Sequence, residues 1–190
     1  EVFSRVRGNP IGANVTEGCE MFRDGDFDGV IGFGGGSALD VAKAIAMAAH
    51  QDRPLFDLHV SSGGPAAIDG SKVAPIIAVP TTAGTGSETG RASIITEEEV
   101  HEKRIFLHAR MMPTIVIEDP QLTVGLPANL TAWTGIDALA HCFEGFCAPD
   151  LHPFSDGVAV EGMRLIKEYL PRAVEDGRDL EARGMMLAAA

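Results

Sequence analysis

The sequence predicts an α/β unit followed by an all-helical unit. Three observations carry that reading. A short apolar run, Asp28–Phe33, meets three consecutive glycines and then a strong helix-forming stretch. Two further apolar runs, Ala74–Val79 and Thr114–Ile117, end respectively at Pro80 and at Glu118, Asp119 and Pro120, as buried strands do. From Pro127 onward the β-branched runs vanish and Ala, Leu, Met and Glu take over.

The chain opens on an amphipathic stretch and reaches its first predicted strand at Asp28–Phe33. Gly34, Gly35 and Gly36 form a turn, and Ser37 starts a helix over Ala38–Ala49. Ser37 with Asp40 three residues on has the spacing of a capping box. Strand, glycine turn and helix make the first half of a βαβ unit. Pro54–Asp69, rich in Gly, Ser and Pro, is loop-like. After the strand Ala74–Val79 comes the polar turn Thr81–Glu88. Ala92–Thr96 and Arg104–His108 read as strands on either side of the charged stretch Glu97–Lys103. Helices are predicted over Ala128–Cys147, Ser155–Tyr169 and Leu180–Ala190. The boundary near Leu122–Pro127 divides the chain into residues 1–124 and 125–190.

Composition narrows the function classes. Of 190 residues 45% are hydrophobic, which fits a globular core. The apolar runs are far too short to cross a bilayer, and the charged opening Glu1–Pro10 does not read as a signal peptide. The formal charge of −12, from 27 acidic and 15 basic residues with no Lys/Arg cluster, makes nucleic acid an unsuitable partner. Three cysteines, Cys19, Cys142 and Cys147, form no CxxC pair, which suits a reducing cytosol better than a disulfide framework. Both ends look cut, because Glu1 enters an amphipathic stretch and no stop signal follows Leu180–Ala190.

Two turns and one helix carry candidate chemistry. Gly34-Gly35-Gly36-Ser37 lies where a helix N-terminus and Cβ-free residues would let a diphosphate approach the main chain. The dinucleotide fingerprint GxGxxG is not met, since Ser37 occupies the third glycine position counted from Gly32, and no Walker lysine follows. A tight turn that packs strand on helix explains the same glycines. The turn Thr81-Thr82-Ala83-Gly84-Thr85-Gly86-Ser87-Glu88 sits at another strand's C-terminal end, where open parallel sheets bind ligands. Its hydroxyls suit ribose, phosphate or an amide, or else they cap their own backbone. Asp137 and His141, four residues apart, stack on one helix face about 6 Å apart along the axis. A carboxylate and an imidazole can hold Fe²⁺, Zn²⁺ or Mn²⁺, but the spacing alone equally describes an intrahelical hydrogen bond. His50, His59, His101 and His152 read as solvated or capping, and His108, at a strand end, is uninformative.

Taken in order, three stretches resemble the iron-containing (group III) alcohol dehydrogenases. They are Gly32-Phe33-Gly34-Gly35-Gly36-Ser37-Ala38-Leu39-Asp40-Val41-Ala42-Lys43, then Pro80-Thr81-Thr82-Ala83-Gly84-Thr85-Gly86-Ser87-Glu88, then Gly135-Ile136-Asp137-Ala138-Leu139-Ala140-His141 through Glu144-Gly145. The likeness runs along nearly the whole chain, and the ordered set is far more specific than any one motif.

The resemblance implies a Rossmann-like nucleotide-binding domain followed by a helical metal-binding domain, the dehydroquinate synthase-like architecture. It implies NAD or NADP as cofactor and Fe²⁺ or Zn²⁺ as metal. The pyrophosphate loop falls on Gly35, Gly36 and Ser37, the nicotinamide-side loop on Thr81, Thr82 and Thr85, and a cofactor-contacting lysine on Lys103. Two of four metal ligands fall on Asp137 and His141. The other two, both histidines, are expected after Ala190, and a first strand–helix unit before Glu1. Some members carry an asparagine near the cofactor where this chain has Ala92. The activity implied is hydride transfer between a small alcohol or aldehyde and NAD(P), in a cytoplasmic homo-oligomer, a dimer or larger. The alternatives are a related maleylacetate reductase or glycerol dehydrogenase, or a non-catalytic nucleotide-binding fragment.

Overall fold

A computed structural model describes residues 1–190, which divide into two compact units. Unit 1 comprises Glu1–Val79 and Ser87–Ile117; unit 2 comprises Pro80–Gly86 and Glu118–Ala190. The short segment after the second strand therefore belongs to the later part of the chain, which no local pattern announces.

In unit 1, helix α1 (Gly12–Asp24) precedes strand β1 (Val30–Gly34) and helix α2 (Gly36–Ala48). Strand β2 (Ile76–Pro80), the hairpin β3 (Ala92–Glu97) and β4 (Glu102–Leu107), and the short strand β5 (Ile115–Val116) follow. One sheet has the order β1-β2-β5, with β2 and β5 parallel and Ile77 opposite Ile115. The hairpin is a separate antiparallel pair in which Ile94 faces Ile105, and His101 takes a positive φ of 55° in its turn. Val15, Cys19, Phe22, Val41, Ile45, Leu58, Ile95, Phe106 and Met111 form the core.

Helix α1 goes beyond the sequence expectation, which had only an amphipathic opening there. Gly12 and Gly18 each mark a close approach. A Cβ on Gly12 would lie 2.7 Å from the Phe56 ring, and one on Gly18 would lie 2.2 Å from Ile45 Cδ1. The packing that these glycines permit outweighs their poor helix propensity.

The expected capping box at Ser37 does not form. The N-cap of α2 is Gly35, with no side-chain cap bond. Asp40 is turned instead to β3 and the segment before it: its carboxylate accepts from Ser87 Oγ at 2.6 Å and from the Ile94 amide at 3.0 Å. A local motif lost to long-range partners.

Unit 2 contains α3 (Ala128–Phe146), α4 (Pro153–Glu175) and α5 (Leu180–Ala189), packed around Ala138, Ile166, Leu170, Ala173, Ala182, Met186 and Ala189. Helix α4 runs past the expected end at Tyr169 and through Pro171. The proline removes one intrahelical donor, but Leu170 and Ala173 on either side are buried in the core, and the helix continues to Glu175. No helix is long and apolar enough to cross a membrane.

Candidate functional site

The glycine turn is built by one strand end and one helix start. Gly34 closes β1 with φ +143°, a region that side chains other than glycine rarely adopt, and a Cβ there would meet Ala38 Cβ at 2.8 Å. Gly35 is extended, and its carbonyl accepts from the amides of Ala38 at 2.9 Å and Leu39 at 3.1 Å. The amides of Gly36 and Ser37 precede the first intrahelical bonds and lie at the positive end of a 13-residue helix. These are donors of the kind that receive phosphate oxygens. All three sequence-predicted residues here, Gly35, Gly36 and Ser37, are partly exposed.

Below that turn α2 carries a buried ionic cluster. Lys43 is 1% exposed in a helix whose other buried residues are Leu, Val, Ala, Ile and Met. Its Nζ donates to the carbonyls of Ser87 at 2.9 Å and Gly90 at 3.5 Å, and to that of Ala92. Asp40 Oδ1 lies 3.4 Å from the same nitrogen, and Glu88 nearby is also buried. Burial pushes the Lys43 ammonium below the ordinary lysine range, and the Asp40 and Glu88 carboxylates pull it back up. The sequence pointed to no role for Lys43 or Glu88, and for Asp40 only to the capping box that does not form. The available signal was a lysine set inside the apolar run Ala42–Met47 with an aspartate three residues before it. Lys103, in contrast, is exposed on β4 opposite Thr96.

Unit 2 holds Thr81, Thr82 and Thr85 together with α3. Gly84 is the close contact: a Cβ there would lie 2.7 Å from the Thr134 carbonyl oxygen and 2.7 Å from Thr134 Cβ. Ala83 packs against the helical core. The threonine segment is thus laid on α3 one turn before Asp137. Thr81 and Thr82 are half-buried, and Thr85 is exposed.

Asp137 and His141 face outward from α3 beside exposed Trp133 and Ile136. Asp137 Oδ1 and His141 Nε2 are 4.0 Å apart, and the side chains are 48% and 47% exposed. That distance is too long for a hydrogen bond, so the intrahelical bond allowed by the spacing is not made. The donor types, one carboxylate and one imidazole, suit a divalent metal, and the 4.0 Å between them would have to close by a few tenths of an ångström for both to reach one tetrahedral ion through bonds of roughly 2 Å. No group of three or more His, Cys, Asp or Glu side chains gathers to complete a first shell within this chain. The opposite face of α3 is fixed in the core. Thr131 Oγ1 accepts from the buried Arg183 guanidinium at 2.8 Å, and the same guanidinium reaches the carbonyls of Leu126 and Gly177.

Three of the remaining histidines serve local structure. His59 is buried, not solvated: its Nδ1 accepts from the Ser61 amide and its Nε2 lies 2.7 Å from Ser62 Oγ. With Nδ1 accepting, the proton sits on Nε2 and points at the hydroxyl, so the pair is no base–nucleophile dyad. His152 accepts from the Ser155 amide and caps α4, and His108 similarly caps a short turn through the Arg110 amide.

Comparison with known proteins adds an independent line. The family model described as iron-containing alcohol dehydrogenase matches residues 1–120, and that for the C-terminal part of the Fe-containing alcohol dehydrogenase family matches residues 131–190. The chain is 42% identical over 189 residues to the 4-hydroxybutyrate dehydrogenase of Cupriavidus necator, covering 99% of this chain and 49% of that protein. It is 38% identical to the NAD-dependent methanol dehydrogenase of Bacillus methanolicus, over 99% of this chain and 48% of the relative. Among solved structures, the sulfoacetaldehyde reductase of Bifidobacterium kashiwanohense, in complex with NAD⁺, superposes with a TM-score of 0.92 at 36% identity. That match covers 99% of this chain and 49% of the other. A 1,3-propanediol oxidoreductase gives 0.93 at 38%, covering 100% and 48%. The chain spans about half the length of the relatives it matches. Its Rossmann-like α/β region followed by helices is the corresponding part of the two-domain fold.

Proposed function

Since the chain belongs to the iron-containing alcohol dehydrogenase family, we propose that the protein it represents interconverts a small alcohol and its aldehyde or ketone, with NAD(P) as hydride carrier and a divalent metal at α3. Residues 1–124 are assigned to the nucleotide-binding domain and 125–190 to the metal-binding domain. Gly35, Gly36 and Ser37 are assigned to the pyrophosphate, Thr81, Thr82 and Thr85 to the nicotinamide side, and Lys103 to a further cofactor contact. NAD is preferred to NADP because a relative is named for it and another was solved with it. Iron is preferred to zinc on the family description. A cytoplasmic homodimer or larger homo-oligomer completes the reading.

The observation that carries the metal assignment is the outward-facing, mutually unbonded Asp137–His141 pair. A metal-free maleylacetate reductase has no use for it. A zinc glycerol dehydrogenase would, so the native metal separates the two metal readings. A metal held there supplies Lewis acidity toward an alcohol oxygen, while the nicotinamide ring supplies the hydride acceptor. The chain's own part is to present one carboxylate and one imidazole from a helix fixed in the core, and to hold a dinucleotide by main-chain donors and hydroxyls.

In the full-length protein, Asp137→Ala and His141→Ala should lose bound metal and turnover together while circular dichroism stays unchanged. Stoichiometric metal and normal turnover in Asp137→Ala would sink the assignment. Chelation should abolish activity, with Fe²⁺ or Zn²⁺ restoring it.

A further inference from the structure

The Lys43 and Asp40 side chains and the Asp40 carbonyl of α2 all bond to one stretch of chain. Lys43 donates to the carbonyls of Ser87, Gly90 and Ala92; Asp40 accepts from the Ser87 hydroxyl and the Ile94 amide; and Ser93 Oγ donates to the Asp40 carbonyl at 2.8 Å. Seven residues from Ser87 to Ser93, plus the first amide beyond, are thereby fastened to the helix whose N-terminus is the glycine turn. A buried ammonium with three carbonyl acceptors is costly to desolvate. The fold retains it where a methionine would fill the same space. Ser87 is also the residue at which the threonine segment Pro80–Gly86 rejoins unit 1.

We propose that Lys43 and Asp40 are positioning residues for dinucleotide binding: an internal cation and its carboxylate lock the segment Ser87–Ile94 onto α2, so that the glycine turn and the C-terminal anchor of the threonine segment are held fixed before any ligand arrives. Neither side chain touches the cofactor. They act by removing the ordering cost that a loose segment would impose on binding. The inference rests on the dinucleotide reading above and deepens it.

Lys43→Met keeps the length and deletes the charge and donors. In the full-length enzyme its Kd for NADH, read directly by titration of protein fluorescence, should rise at least tenfold. The KM for NAD⁺ should follow, while the KM for the alcohol and the bound metal stay within twofold of the parent. Asp40→Asn removes the charge beside Lys43 and must turn its amide donor toward either the Ile94 amide or the Lys43 ammonium, both of which only donate. It should weaken NADH in the same direction, by at least threefold, and it decides the matter if Lys43→Met fails to fold. A lysine that served folding alone would lower the melting temperature and the fraction of active protein, and leave the Kd of that active fraction unchanged. Folded variants whose Kd lies within twofold of the parent overturn the positioning role and leave the dinucleotide reading standing. A parent enzyme that does not bind NADH overturns both.

Discussion

Gly84→Ala adds one methyl where the helix leaves no room. The new Cβ would lie 2.7 Å from the Thr134 carbonyl oxygen, 3.1 Å from its carbonyl carbon and 2.7 Å from its Cβ. Two of these three atoms are backbone of α3 and cannot rotate away. The threonine segment must therefore lift from the helix by several tenths of an ångström or more, taking Thr82 and Thr85 with it. Overpacking of this kind costs about 1–3 kcal/mol. Each kcal/mol lowers the melting temperature by roughly 2–8 °C across the usual range of domain sizes, so the loss should be several degrees. Gly157→Ala is the internal control. It lies inside α4, a Cβ there meets nothing within 4 Å, and the gain in helix propensity should leave stability unchanged or raise it by up to about 1 kcal/mol. Thermal unfolding of the two full-length variants beside the parent gives the stabilities, and steady-state kinetics gives the KM for NAD⁺, expected to rise in Gly84→Ala alone. A Gly84→Ala protein with parental melting and parental KM would mean that the segment is not seated on α3 as described.

Cysteine reactivity should follow burial. Cys147 is exposed while Cys19 is buried, and burial pushes the Cys19 thiol up to about 11, leaving about one part in a thousand as thiolate at pH 8. Iodoacetamide on the native protein should label Cys147 first and Cys19 only after denaturation, and mass spectrometry would expose the reverse order. Asp179 caps α5: the Ala182 amide and then the Arg172 guanidinium hold its carboxyl below the usual 3.8. Its contribution is therefore complete above that value and lost as pH falls through the lower, folded one. Asp179→Ala should melt below the parent at neutral pH and converge with it in acid, whereas a gap that persists in acid would rule out the carboxylate as its source.

The strands at β1 and β2, the glycine turn between β1 and α2, and the three late helices were legible because each depends on local periodicity and local turn chemistry. The pair Asp137 and His141 was legible for the same reason, since four residues on a helix fix one face. Sequence could not say whether the two bond to each other; the side-chain positions, 4.0 Å apart, decided that. Asp40 shows the limit most clearly. Its spacing from Ser37 fits a capping box, but its partners Ser87 and Ile94 lie 47 and 54 residues away. Gly84 was expected only as part of a turn, and Gly12 and Gly18 carried no signal, yet each is a point where another element comes too close for a Cβ. Lys43 looked like one charge on a helix and became the centre of a buried cluster. In every such case the energy comes from groups that only the folded chain brings together, and hydrogen bonds and steric contacts over that sequence distance leave no periodic trace along the chain.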